Sequence, residues 1–166
     1  MADPRRIDIA RHADLYLRHR PGTDIALLNG LMHVIIREGW QDEAFIAERT
    51  GGFEAFKALV AKYTPEVASG ITGVPAADIE KAARILAENR PGALLYSMGI
   101  TQHTVGVPNV RSCANLQMLL GNMGVPGGGV NPLRGQNNVQ GACDMGGLPN
   151  VCLLYTSDAA DEEDSV

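Results

Sequence analysis

One arginine stands alone in the last third of the sequence. Arg134 is the only Lys or Arg after Arg111, and it lies in the run Asn131-Pro132-Leu133-Arg134-Gly135-Gln136-Asn137-Asn138-Val139-Gln140-Gly141-Ala142-Cys143-Asp144-Met145-Gly146. A guanidinium is a planar fork of N–H donors with a fixed positive charge, which suits two-point recognition of a carboxylate or phosphate. The glycines around it let backbone N–H groups approach a ligand. The same residues also permit a structural arginine paired with Asp144. Two other short polar stretches are candidates, Arg20-Pro21-Gly22-Thr23-Asp24 and Met98-Gly99-Ile100-Thr101-Gln102. Asp24 offers an acceptor-only carboxylate suited to the N–H edge of a guanine, and Gln102 an amide that both donates and accepts. The local alternative is that Thr23 and Asp24 cap a helix and Gln102 is an exposed loop residue.

Other chemistries are excluded by what is missing. The last lysine is Lys81, so no Walker A loop is present, and Gly127-Gly128-Gly129 is followed by Val130-Asn131-Pro132 rather than completing a G-x-G-x-x-G fingerprint. His12, His19, His33 and His103 have no metal-ligand spacing and read as structural or surface residues. Cys113, Cys143 and Cys152 are odd in number and form no C-x-x-C, which argues against a disulfide scaffold or a zinc site. No Ser/His/Asp or paired-carboxylate arrangement stands out.

The elements that must position these residues follow from periodicity and punctuation. Asp14 to Arg18 alternates polar and apolar and reads as a short strand, broken by Arg20-Pro21-Gly22. Ile25, Leu28, Leu31, Met32 and Ile35 then recur at helical steps, opened by Thr23 or Asp24 and closed by Gly39. Shorter helices are expected over Asp42 to Glu48 and Phe53 to Tyr63, with Pro65 as a break. Another helix follows Pro75, with Ile79, Ala82, Ala83 and Leu86 on one face. Ala93-Leu94-Leu95-Tyr96-Ser97 reads as a strand buried on both faces, and Val110 to Met123 as a helix. In a parallel sheet, ligands gather at the carboxyl ends of strands, where residues 20–24 and 98–102 would sit. Between Gly121 and Asn150 lie nine of the chain's 19 glycines with almost no periodicity, which reads as a long loop ordered by a ligand.

The 166 residues suit one domain, and no apolar run approaches the roughly 20 residues of a membrane span. A net charge of −5 disfavours nucleic acid and anionic membrane surfaces as partners. Asp158, Asp161, Glu162, Glu163 and Asp164 put that excess in the last fifteen residues, and the remainder is balanced. Met1 to Arg20 contains no apolar signal-peptide core, so a cytoplasmic location is expected.

The run from Gly129 to Gly146, with Met98 to Gln102 and Gly121-Asn122, closely resembles the catalytic (alpha) subunit of molybdopterin-dependent formate dehydrogenases. Pro21-Gly22-Thr23-Asp24 resembles the wider bis-molybdopterin guanine dinucleotide oxidoreductases. The resemblance covers about residues 3–151. It implies an α/β fold, a mostly parallel sheet flanked by helices in a Rossmann-like cofactor-binding domain, closed by an ordered glycine-rich loop. It also implies that Gly22, Thr23 and Asp24 contact a guanine dinucleotide arm, that Met98, Gly99 and Gln102 line the pterin side, and that Gln136 is a further cofactor contact. Arg134 matches the arginine that holds formate beside molybdenum or tungsten.

The family's cysteine or selenocysteine metal ligand, its neighbouring histidine and its iron–sulfur cluster domain have no counterpart in these residues, and Cys113 and Cys143 do not replace them. The expected reading is therefore an internal segment, 1–151, of a larger subunit that is inactive alone. It would work with the remaining domains of that subunit and with electron-transfer subunits. Residues 152–166 resemble a translated sequencing adapter and are expected to be a non-native acidic tail. A catalytically silent domain like that of the complex I large subunit, and a free-standing nucleotide-binding module, are the alternatives.

Overall fold

The computed structural model describes residues 1–145 and 147; the acidic stretch 152–166 and the end of the glycine-rich segment lie outside the described residues. The chain divides into two units, Met1–Asn131 and a second that begins at Pro132. After a 3-10 turn at Asp8–His12 the elements are α1 (Asp24–Arg37), α2 (Glu43–Arg49), α3 (Phe53–Val60), α4 (Pro65–Thr72), α5 (Ala76–Glu88), β1 (Ala93–Tyr96), α6 (Met98–Thr101), α7 (Gly106–Leu119), β2 (Gly129–Pro132) and α8 (Val139–Asp144). The fold is mixed α/β, with a small parallel sheet flanked by helices.

Helix α1 is the centre of the first unit and packs against α3, α4, α5 and α7. Its apolar residues do not form a single stripe. Leu27, Leu31, Met32, Val34 and Ile35 are all buried, so the helix is enclosed on most of its circumference. Opposite it, α5 contributes Ile79, Ala82, Ala83 and Ala87, and α7 contributes Cys113, Leu116 and Leu119. The approach of α1 to α4 is close enough that a Cβ on Gly30 would come within 2.7 Å of the Ala68 Cβ.

Several expectations are corrected. Asp14 to Arg18 is not a full strand, since only Leu17 forms an isolated parallel bridge, to Ala2. Among the described residues the segment pairs with the chain start, through Leu17 N–H to Met1 O and Asp3 N–H to Leu17 O. Strand β1 is not buried on both faces. Its exposure alternates and Leu95 is 62% exposed, because a two-stranded sheet cannot cover both sides of an apolar run.

Pro65 opens helix α4 rather than breaking the chain. It occupies the first turn, where its missing N–H costs nothing, while Thr64 Oγ1 accepts from Val67 N–H and Gly73 closes the helix at φ +77°. Helix α7 begins earlier than expected, at Gly106, with Pro108 tolerated in its first turn. The stretch after Gly121 is less irregular than its glycines suggest, for it holds β2 and α8.

Because α1 and α4 approach so closely, Gly30→Ala overpacks the contact and costs about 1–3 kcal/mol. Gly70→Ala, where a Cβ meets nothing within 4 Å, is neutral or stabilises by up to about 1 kcal/mol. Urea midpoints of the two variants check this; a Gly30→Ala midpoint at or above wild type would refute the close approach.

Candidate functional site

The first candidate stretch is a tight turn leading into α1. Thr23 Oγ1 donates to Arg20 O at 2.6 Å, and Gly22 takes φ +78° with open space where a Cβ would stand. The turn is tied down from behind, since Arg20 N–H donates to Thr72 O and the Arg20 guanidinium donates to Gly70 O and Ile71 O at the end of α4. Thr23 sits at the cap position of α1 but makes no side-chain cap bond. Asp24 occupies the first turn of α1, where a negative charge meets the positive end of the helix dipole.

Asp24 is buried at 8% exposure, and its Oδ1 lies 3.0 Å from Nε2 of His19, itself 5% exposed. That hydrogen bond holds the Asp24 carboxyl below the usual carboxylate range, overcoming the opposing effect of burial. His103 adds a smaller attraction, which brings the second candidate stretch into the same electrostatic neighbourhood. Cys113 on α7 is buried within electrostatic reach of Asp24. Burial first and the nearby carboxylate second push its thiol up to about 11, so it is neutral and a poor nucleophile.

The second stretch, expected as a loop, contains the short helix α6. Met98, Gly99 and Gln102 are all exposed, and Gly99 has open space around its Cβ position. The backbone is held from below by Asn109, whose amide donates to Ile100 O at 2.9 Å, and by a contact between His103 Nε2 and Gly99 O at 2.8 Å. A side chain at Gly106 would collide with Thr101 O, so only glycine allows α7 to start against this turn. Deeper in the unit, Asn122 donates to Gln117 Oε1 at 2.7 Å with both side chains buried, anchoring the end of α7.

In the second unit Arg134 and Gln136 are exposed. Arg134 does not pair with Asp144 directly. One of its terminal nitrogens donates to Gln140 Oε1 at 3.0 Å, and Gln140 Nε2 donates to Asp144 Oδ1 at 3.2 Å. The amide relays the carboxylate's pull without neutralising the guanidinium. Among the described residues, Gln140 is the single hydrogen-bond partner of Arg134. Also among the described residues, no group of three or more His, Cys, Asp or Glu could hold a metal ion, and no helix is long and apolar enough to cross a membrane.

His19 was missed by sequence reasoning as a member of the site. A lone histidine with no spacing partner carries no signal, and its link to Asp24 exists only because the Pro21-Gly22 turn folds the chain back.

These features define a class: an α/β chain with backbone-open glycine turns that carry a carboxylate at one and an amide at the other. The chain belongs to the molybdopterin oxidoreductase family, whose description it matches over residues 1–164. Membership implies a molybdopterin cofactor. The chain is 54% identical to the F420-dependent formate dehydrogenase 1 subunit alpha of Methanococcus maripaludis over 161 residues, which is 97% of this chain and 24% of that protein. It is 51% identical to formate dehydrogenase H of Escherichia coli over 165 residues, 98% of this chain and 23% of that protein. The chain thus spans about a quarter of the length of these relatives. Among solved structures, acetylene hydratase from Pelobacter acetylenicus matches with a TM-score of 0.73 at 32% identity, over 76% of this chain and 17% of that one.

The depressed Asp24 pKa fixes the sign of a pH effect. The contribution of the His19–Asp24 bond to stability is fully present above the usual carboxylate range and is lost as pH falls through the lowered folded-state value. The gap between the urea midpoints of wild type and Asp24→Asn is therefore expected to be largest at neutral pH and to close in strong acid. A gap unchanged from neutral pH to strong acid would contradict the assignment.

Proposed function

We propose that this chain is the part of a formate dehydrogenase catalytic subunit that binds a guanine dinucleotide form of molybdopterin and orients formate for oxidation to carbon dioxide. The observation that carries the reading is the exposed Arg134 guanidinium, tethered through one neutral amide, in a chain 51–54% identical to formate dehydrogenase subunits. The match to acetylene hydratase is a matter of fold at lower identity, so the reaction assignment rests on the sequence relatives.

The residues fit such a cofactor by their chemistry. Gly22 and Gly99 leave the backbone open to a bulky ligand, and Thr23 ties the turn that carries Gly22 into α1. Asp24 accepts from the guanine edge, while Met98 and Gln102 face the pterin and Gln136 supplies a further amide. A bound molybdenum or tungsten centre would supply the two-electron acceptor for formate oxidation, with an iron–sulfur cluster and electron-transfer subunits as the onward route. Oxidation of formate releases carbon dioxide, two electrons and one proton.

Arg134 orients the substrate. Both oxygens of formate accept from parallel N–H groups, which fixes the direction of the C–H bond and stabilises the carboxylate charge. Arg134 takes no part in moving the proton, because guanidinium does not deprotonate in proteins. The residues that hold the metal and the cluster are assigned to other parts of the subunit, so the 166-residue chain alone is expected to show no formate turnover with a dye acceptor.

In the full subunit, Arg134→Lys keeps charge but loses the two-point fork and most of the rate. Arg134→Ala removes a charge-assisted hydrogen bond worth about 1.5–3 kcal/mol, roughly ten- to a hundredfold in kcat/KM. Molybdenum and guanine content should fall far less. An Arg134→Ala enzyme with full cofactor and near-normal kcat/KM for formate would sink the assignment.

A further inference from the structure

We propose that His19 is a positioning residue for guanine recognition, holding Asp24 ionised and fixed in direction so that its carboxylate can take the N1–H and 2-amino donors of the base. The inference rests on the reading that Asp24 meets the guanine arm. A carboxylate only accepts, so the proton shared in the 3.0 Å contact sits on His19 Nε2. The other ring nitrogen, Nδ1, is buried and has no hydrogen-bond partner among the described residues. Among the described residues the ring therefore makes one side-chain polar contact, and that contact is Asp24.

A purely structural role explains this arrangement poorly. Buried ion-type pairs contribute little net stability compared with apolar residues of similar volume, and an unmet buried nitrogen adds a further cost. The pair sits where recognition would need it. His19 and Asp24 bracket the Arg20-Pro21-Gly22-Thr23 turn, whose backbone is tied by Thr23 Oγ1 to Arg20 O and by Arg20 N–H to Thr72 O. With both ends of the turn held, Gly22 is left facing open space.

Of the other titratable groups facing Asp24, Cys113 on α7 is neutral and His103 lies out on the exposed turn after α6. Among the described residues, His19 is the side chain that hydrogen-bonds the carboxylate. His19 and the backbone N–H of Asp24 take two of the roughly four acceptor sites a carboxylate offers, which leaves two for a two-bond grip on a base edge.

Equilibrium dialysis of the 166-residue chain near neutral pH against GDP and ADP tests the proposal. Wild type is expected to prefer GDP by about tenfold, the order expected for one two-bond contact to a base edge. His19→Gln keeps an N–H donor near the position of Nε2 and should retain most of the preference. His19→Leu and Asp24→Asn should both bring the ratio to within about twofold of unity while ADP binding persists.

The ratio is decisive because a merely structural role weakens both nucleotides alike. If His19→Leu does not fold by circular dichroism, His19→Asn replaces it, since its shorter amide cannot reach Asp24 Oδ1. Loss of preference in Asp24→Asn with retention in His19→Leu overturns the role of His19 alone. No preference in wild type, or an unchanged ratio in Asp24→Asn, overturns the Asp24 reading and this inference with it.

Discussion

A helix enclosed on most of its circumference must settle its polar groups inside the protein, and α1 is such a helix. Asp24 and Asn29 are buried along with its apolar residues, and Gly30 brings its backbone against Ala68 of α4. With α3, α4, α5 and α7 all packed on it, α1 has no room to shift so as to expose its first turn. The carboxylate at that turn is therefore fixed by the core. Leaving it there ionised requires a donor, which His19 supplies. The turn before α1, its open glycine and the direction of Asp24 all depend on this one packed helix.

Elements whose burial follows from their own periodicity were legible in the sequence. Helix α1 runs close to its expected bounds, α5 shows its Ile79-Ala82-Ala83 face, and Asp42 caps α2 by accepting from Phe45 N–H. Where burial depends on neighbours, the pattern misled. The run Ala93 to Tyr96 has the composition of a central strand, yet a single partner strand leaves it half open. Helix α4 was hidden because Val67 and Ile71 are exposed while Ala68 and Thr72 are buried, so its apolar residues do not mark its buried face.

The candidate site was legible to different depths for related reasons. Arg134 announced itself as an isolated charge, and Gly22, Thr23, Asp24, Met98, Gly99 and Gln102 stood at breaks between periodic segments. The supporting contacts carry no such mark. Gln140 lies six residues from Arg134, His19 five residues from Asp24, and Asn109 nine from Ile100, and only the turns between them set which atoms meet. Spacing rules describe helices and strands; a turn's geometry depends on single residues such as Gly22 or Gly106, whose requirement appears only once a Cβ is imagined in place.

Asp24 and Arg134 differ in charge and in what their environments must do. A buried carboxylate is held ionised against the cost of desolvation, so its chemistry is set within the first unit by His19. A guanidinium is charged at any relevant pH and needs no such support, and Arg134 stands exposed with one neutral amide beside it. In water an exposed charge pair is worth at most about 1 kcal/mol, and the attraction rises several-fold as water is excluded. Any pairing of the Arg134 guanidinium with a carboxylate therefore strengthens as water is excluded around it. The state of Asp24 is thus set by a hydrogen bond inside the first unit, and that of Arg134 by its exposure, so the two charges are under separate physical control.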